Sequence, residues 1–546
     1  LRLVTVTLQV ALPTELSGRA VEAALEGLAR VVVSTTNNGH IATARMLKDW
    51  AFEAQCLAVG ATPPRADNCL GKLEKLFPRL QPDGWATIAG LKRAVSQQYL
   101  NEQDMTNNVI GYHERLLEQR PPVKQVVLRA LYKYAYSLAI HNRKPESMTI
   151  PDSLALNDNA CLENSRNNGG TRERFREFAA GQTRLVGFGL EAESHRLSTS
   201  TDLPLTYRRG QEPGAPPPPA DSSSSFERGY YGVDLYADTP KNVLLTLRDS
   251  MRYVEHTFDT RWMARELIDS GMVIQTKPLA LKERGMKVRI ASIFSCLPTA
   301  LSQRINAGLQ GVLRPYKRFY KEDVTPEPEV QLGTIGAGKT ICSADLSAAS
   351  DYLQHDVSLA VINGIFDANI ARGVYGWTEE VRQCCHLLLG EHQILEPPAG
   401  RSQKEKRLAG RIRKLLKEKG NVTRNAAAMG LGVTWPVLSI VQDFASWWNM
   451  PKGDRYHKLI LGDDLIAAWS KQGIDTYFSN LDKVGLVLNQ KKTLISEHGG
   501  VFAERYYRLA KFGTNSRRGR GRSRDTPKVG KPTDGKLLRI CRVVLS

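Results

Sequence analysis

The stretch His457–Trp469, HKLILGDDLIAAW, constrains the fold more than any other part of the chain. Two short apolar runs flank Gly462-Asp463-Asp464, and such a pattern predicts a β-hairpin closed by a tight turn. The turn carries two adjacent carboxylates, Asp463 and Asp464, at its tip. Glycine and aspartate are common turn formers, so the tripeptide by itself is compatible with a plain solvated turn. A second acid upstream makes the chemistry sharper. Thr340–Tyr352, TICSADLSAASDY, is β-rich up to Asp345 and then runs through small residues to Asp351. Magnesium takes hard oxygen ligands. A strand-end aspartate beside a hairpin that carries two more would hold two such ions roughly 3.5–4 Å apart, the arrangement for in-line phosphoryl transfer. A helix-capping role for Asp345 would leave the hairpin pair unexplained.

The chain has 546 residues, which predicts several subdomains. Hydrophobic residues make up 42% and aromatic residues 7%, the balance of an ordinary globular protein and not a disordered one. The net charge is +19. A compact fold repels itself at that charge unless a polyanion uses it, so nucleic acid is the expected partner and an anionic membrane surface the bland alternative. No membrane span is expected. The long uncharged run Asn425–Gln442 is interrupted by polar side chains, two glycines and a proline, and reads as a buried loop and helix. The amino end, LRLVTVTLQV, lacks a signal-peptide pattern, and its opening on Leu1 leads us to expect an incomplete start. Scattered cysteines suit a reducing compartment. Cys384, Cys385, His386 and His392 lack a second C-x-x-C-like half, so they read as helix surface and core, not as a zinc site.

Residues 1–145 read as mostly helical, because ATARMLKDWAFEAQCLAVG and VKQVVLRALYKYAYSLAI place apolar residues at helical spacing. The Pro/Ser-rich stretch 211–225 predicts an extended surface insertion. Arg401–Arg424 holds ten basic residues against two acidic ones. Leu408, Ile412, Leu415 and Leu416 keep one side of it apolar, which predicts a packed helix with a basic outer face. A basic tail spans 508–528 and reads equally as an RNA-binding segment or a plain disordered one.

Three further segments carry candidate chemistry. In KERGMKVR, the cations Lys282, Arg284, Lys287 and Arg289 recur closely, and Lys287 and Arg289 share one strand face. They suit a triphosphate grip, or equally a basic surface strand. In AMGLGVTWPVLS, Gly430 and Gly432 would let a loop approach a template closely. Thr434 is expected to cap the next helix, with Pro436 in its first turn. Finally, GTIGAGKT at 333–340 satisfies the phosphate-loop pattern, which needs a helix directly after it. The segment TICSADL, which begins at Thr340, reads as a strand, so the glycine-rich piece is expected to be a connecting loop.

DLSAASD, MGLGVTWP and LGDDL, in this order, resemble motifs A, B and C of RNA-directed RNA polymerases of narnavirus, ourmia-like (botourmia) and mitovirus type, with levivirus replicases as distant cousins. NDNACLENSRNNGG resembles their Cys/Arg/Gly-Gly segment, and KVRIAS, GLVLNQKKT and GVFAER resemble motifs F, D and E. The resemblance covers about residues 150–510. It implies an α+β right-handed polymerase of fingers, palm and thumb, with an antiparallel palm sheet and a mostly helical amino-terminal region at 1–145. Fingers would occupy 146–340, motif A of the palm 341–356, and a basic fingers insertion 357–428. Motifs B, C and D of the palm would occupy 429–495, and motif E with a short, truncated thumb 496–546.

By the same resemblance, Asp345, Asp463 and Asp464 would hold Mg2+, or alternatively Mn2+. Lys282, Arg284, Lys287 and Arg289 would hold the triphosphate. Asp351, Thr434 and Ser439 would meet the ribose, and Lys492 would protonate pyrophosphate, with Lys491 as the adjacent alternative. Many positive-strand polymerases place an asparagine on this helix, four residues after the threonine; this chain has Leu438 there and Ser439 next, which matches the levivirus-like variant and leaves the partner of the sugar hydroxyl open. RNA template and product, ribonucleoside triphosphates, a monomeric state, and the host cytoplasm or mitochondrion are the implied partners and setting. A P-loop NTPase and a non-catalytic RNA-binding protein are the alternatives.

Overall fold

The computed structural model describes residues 18–62, 82–90, 102–152, 159–175, 177, 260–271, 273–283, 287–319, 334–335, 338–400, 402–425, 428–511 and 538–542. The insertion 211–225, Arg284 and residues 512–528 of the basic tail lie outside them.

The described amino-terminal part is helical: α1 Gly18–Val59, α2 Pro82–Ala89, α3 Glu102–Leu117 and α4 Gln125–Ile140. Next come α5 Thr260–Asp269, the strands β1 Gln275–Glu283 and β2 Lys287–Phe294, and α6 Cys296–Leu313. β3 Thr334–Ile335 and β4 Thr340–Ala344 lead into α7 Ala349–Tyr352, α8 His355–Ala371, α9 Glu379–Leu389, β5 Gln393–Ile394 and α10 Gln403–Lys419. After these come α11 Thr434–Ala445, β6 Lys458–Leu461, β7 Asp464–Trp469 and α12 Lys471–Lys483. β8 Leu494–Ser496, β9 Gly499–Phe502, β10 Arg505–Lys511 and β11 Leu538–Arg542 complete a mixed α+β architecture.

The sheet that matters for the site has the order β6-β7-β4-β8, and every pair in it is antiparallel. Its central strands β4 and β7 are buried on both faces. Period-two alternation sends Leu465, Ala467 and Trp469 of β7 into the large helical core. Ile466 and Ala468, between them, pack with Ile341, Leu459, Phe502 and Tyr507 under the β9–β10 hairpin. Each fully buried aliphatic side chain of this kind stabilises the fold by about 1.5–3 kcal/mol.

β1 and β2 form an antiparallel hairpin, with β5 parallel to β1 on the other side. The basic stretch folds as its pattern predicts. In α10, Ala409, Ile412 and Leu416 are buried, and Ile412 and Leu416 seat against Val109, Tyr112 and Leu116 of α3. Ser402 and Glu405 form a reciprocal capping box that starts the helix. Cys384 and Cys385 lie in the core, and His386 bonds to Asn363.

One expectation is corrected. Thr434 is the first residue of α11, not its cap. Val433 holds the cap position, and the Thr434 hydroxyl donates instead to the carbonyl of Ala428 at 2.9 Å. Val433 already has a right-handed helical backbone, so the chain enters the helix one residue earlier than the side-chain pattern suggested.

Candidate active site

The β6–β7 register pairs Leu461 with Asp464, which leaves Gly462 and Asp463 as a two-residue turn. Gly462 has φ 62, the positive value that a two-residue hairpin takes at its first loop position. A Cβ there would stand 2.6 Å from Nε1 of Trp435, so α11 and the turn touch only because the residue is glycine. From the same helix Gln442 donates to the main-chain carbonyl of Asp463 at 3.1 Å.

β4 lies beside β7, with Ser343 across from Ile466 and Ala344 across from Leu465. Asp345 directly follows the last paired residue of β4, and Asp464 directly precedes Leu465 in β7. The end of one strand and the tip of the hairpin therefore bring three carboxylates to one edge of the sheet. Asp345 is half-buried, Asp463 exposed and Asp464 half-buried. Although Asp463 meets solvent, the surrounding protein desolvates its carboxyl and raises it above the ordinary range, and Asp345 adds to the rise. Asp464 is pushed up to about 7, first by burial and then by Asp463 and Asp345. Lys287 and Lys492 oppose that rise.

Asp345 is held from below. Its Oδ2 accepts from Asn489 Nδ2 at 2.9 Å, and Lys492 Nζ lies 3.5 Å away. Its main chain bonds to the same segment, receiving the Asn489 N–H and donating to the Thr493 hydroxyl. Lys492, and not Lys491, makes the contact with Asp345. Among the described residues, no group of three or more His, Cys, Asp or Glu side chains gathers closely enough to hold a metal ion. The donor set is nevertheless chemically suited to magnesium: three oxygen ligands whose mutual repulsion a divalent cation relieves.

The β1–β2 hairpin supplies the opposing charge. Lys282, Lys287 and Arg289 are exposed on it, and Arg289 pairs with Glu283 at 2.9 Å. Burial lowers the Lys287 ammonium, as do Arg289 and Lys492, while Glu283 and Asp463 act in the other direction. The hairpin thus faces the carboxylates electrostatically.

The remaining sequence candidates meet protein. Asp351 is buried, and Nε and Nη2 of Arg115 both reach its Oδ2 at 3.0 Å. It caps no helix: Ala348 precedes α7, and Gln354 precedes α8. Ser439 is fully buried and donates to the carbonyl of Trp435. Gly430, at φ 144, lies so near β2 that a Cβ would come 2.1 Å from the Ser292 carbonyl oxygen. Gly432 donates its N–H to Ser302. The close approaches these glycines permit in this structure are therefore to protein. Around the phosphate-loop pattern, Thr340–Ala344 is a strand and not a helix. Lys339 bonds the Gly453 carbonyl at 2.6 Å and pairs with Asp454 at 3.2 Å.

Four contributors were not read from the sequence. Arg115 had no local signal, since its partner is 236 residues away. Gln442 shares a helix face with Trp435 and Ser439 by their three- and four-residue spacing, which could have pointed to it. Asn489 sits inside the segment GLVLNQKKT, in which the lysines are the residues with an evident chemical role. Asp443, fully buried behind the hairpin, pairs with Lys458 at 2.8 Å and Arg318 at 2.6 Å and accepts from Tyr134. Burial would raise the Asp443 carboxyl, but the two cations hold it below its ordinary value.

No family model matches the chain. A segment of 313 residues is 23% identical to the RNA-directed RNA polymerase of Saccharomyces 23S RNA narnavirus, covering 52% of this chain and 30% of that protein. A segment of 242 residues is 25% identical to the RNA-directed RNA polymerase of Saccharomyces 20S RNA narnavirus, covering 41% of this chain and 25% of that protein. The chain thus spans less than a third of the length of these curated relatives. Among solved structures, the RNA-dependent RNA polymerase of a human picorbirnavirus aligns with a TM-score of 0.31 and 11% identity over 43% of each chain. The sequence matches support a general relationship to the RNA-directed RNA polymerase superfamily.

Proposed function

We propose that the chain is the catalytic part of a viral RNA-directed RNA polymerase of narnavirus-like type, replicating a positive-strand genome by two-metal-ion nucleotidyl transfer. The observation that carries this reading is the β4–β7 register, which ends with Ala344 across from Leu465, so that the next residue, Asp345, follows β4 beside the turn that bears Asp463 and Asp464. That is the carboxylate edge that ordered strand-end and hairpin acids require, and the superfamily relationship supplies the reaction class.

In this reading β4, β6, β7 and β8 form the palm sheet. The β1–β2 hairpin and α10 belong to the fingers, and β9 to β11 begin the thumb. Bound Mg2+, or Mn2+, would polarise the primer 3′-hydroxyl and neutralise charge on the triphosphate. Asp345, Asp463 and Asp464 would hold the ions. Lys287 and Arg289, with Lys282 and Arg284, grip the triphosphate, and Lys492 gives a proton to departing pyrophosphate. Asp351, with Thr434 or Ser439, reads the sugar, while Gly430 and Gly432 shape the loop beside the template. RNA is held mostly through its phosphates, so binding falls with salt. The setting is the host cytoplasm or the mitochondrion, with the protein acting as a monomer.

Purified protein, a primed RNA template, four ribonucleotides and magnesium test the reading. Primer extension is expected, and Asp463→Asn should abolish it while leaving melting temperature and RNA binding nearly unchanged. Wild-type extension rates in that variant would overturn the assignment.

A further inference from the structure

Helix α3 carries no motif of its own, yet it touches three segments that the proposed chemistry uses. Tyr112 shares a hydrogen bond with Ser292 of β2 at 2.6 Å. The carbonyl of Leu116 accepts the N–H groups of Arg424 and Asn425, which lead into the loop with Gly430 and Gly432. That loop in turn holds β2, through the Met429 carbonyl and the Ser292 N–H at 2.7 Å. Arg115 is the third contact, with both Nε and Nη2 on a single oxygen of Asp351.

The geometry at Asp351 is unequal between its two oxygens. Oδ2 receives two guanidinium N–H groups, whereas Oδ1 receives only the Ser350 hydroxyl, at 3.2 Å. A carboxylate has about four acceptor sites. Oδ2 is therefore saturated, and Oδ1 keeps a free lone pair. The planar guanidinium directs two pre-organised N–H groups at that one oxygen, whereas an ammonium is a freely rotating point charge. Asp351 needs such a brace. It stands on α7, a single four-residue turn entered through Ala348 at φ 44.

We infer that Arg115 is a positioning residue for sugar recognition: it fixes the Asp351 carboxylate with Oδ1 available to a ribose 2′-hydroxyl. Helix α3 thereby sets the preference for ribonucleotides over 2′-deoxyribonucleotides. This inference rests on the polymerase reading above. The competing account is a plain staple, in which Arg115 only ties α3 to α7.

The test compares kcat/KM for ATP and 2′-dATP in primer extension, with melting temperature measured alongside. Arg115→Met is expected to lower ATP use on the order of 10- to 100-fold while dATP use changes little, because the hydroxyl loses an oriented ionic acceptor. Arg115→Lys keeps the charge without the fork, and a smaller narrowing of the ratio is expected. In an Asp351→Ala background, Arg115→Met should narrow the ratio no further, since the two side chains act as one unit. Folded Arg115→Met and Arg115→Lys proteins with lower melting temperatures and an unchanged ATP-to-dATP ratio would establish the staple and overturn the inference. An inactive wild-type protein would instead overturn the polymerase reading. Calorimetric titration of ATP and dATP into the same variants then decides on Arg115: a preference for ATP that is lost in Arg115→Met supports it, and equal affinities in the wild type reject it.

Discussion

The side-chain amide of Gln442 donates to the main-chain carbonyl of Asp463 at 3.1 Å and shares the same nitrogen with the Tyr477 hydroxyl at 3.2 Å. Helix α11 thereby holds the tip of a hairpin whose strands lie later in the sequence. Gln442 is fully buried, and its Oε1 has no partner among the described residues. Gln442→Leu therefore removes an unsatisfied buried oxygen together with the useful donor. Stability should change little, because the two effects offset each other. A misplaced Asp463 should lower kcat on the order of tenfold, with KM for nucleotides nearly constant. Steady-state primer extension checks this; an unchanged kcat would show that the turn positions itself.

Lys287→Ala and Arg289→Ala should each raise KM for nucleotides, with some loss in kcat. Both cations are exposed on a hairpin whose charges act on Asp463, and Arg289 should respond less because Glu283 already pairs with it. Nucleotide titrations at fixed RNA separate this from a role in template binding. If only RNA affinity falls, the two residues belong to the template path.

Lys339→Ala should leave nucleotide incorporation close to that of the wild type. The ammonium is engaged by Gly453 and Asp454, and the backbone beyond it is a strand, not the helix that a phosphate-loop pattern requires. Removing the partner of the nearly buried Asp454 should cost about 1–3 kcal/mol of stability. Strong RNA-independent ATP hydrolysis that disappears in this variant would restore the phosphate-loop reading.

The carboxylate edge predicts a pH and magnesium dependence. Asp464 is pushed up to about 7 in the folded protein, first by burial and then by Asp463 and Asp345. An unfolded aspartate titrates at about 3.9. The folded state thus favours the protonated form, so this group's contribution to stability is full below the unfolded value and lost as pH rises through about 7. Without metal, the melting temperature of Asp464→Asn should fall less than that of the wild type between mildly acidic and mildly basic pH. Magnesium added at mildly basic pH should raise the wild-type melting temperature and affect the variant less. Parallel pH curves for the two proteins would remove Asp464 from the coupled set.

Local chemistry made much of the fold legible. The two apolar runs around a glycine in HKLILGDDLIAAW fold as the hairpin they predict, because a two-residue turn is decided by the turn residues and their immediate flanks. The basic run of α10 became a one-sided helix for a similar reason, with its spacing of Ile412 and Leu416 fixing the buried stripe. The helix start at Thr434 was misread because Val433 has the helical backbone already, and a threonine hydroxyl has more than one carbonyl or N–H within reach.

What the sequence determined by itself was therefore the set of elements and the types of side chain at their ends: a strand leading to Asp345, a turn bearing Asp463 and Asp464, and a basic strand with Lys287 and Arg289. The tertiary structure alone decided which of these meet. Strand pairing put Ala344 across from Leu465, and helix packing put Arg115 on Asp351 and Gln442 under Asp463. Periodicity in a sequence fixes which face of an element is apolar, but the identity of its neighbour depends on closing loops of tens to hundreds of residues, and no local pattern encodes that choice.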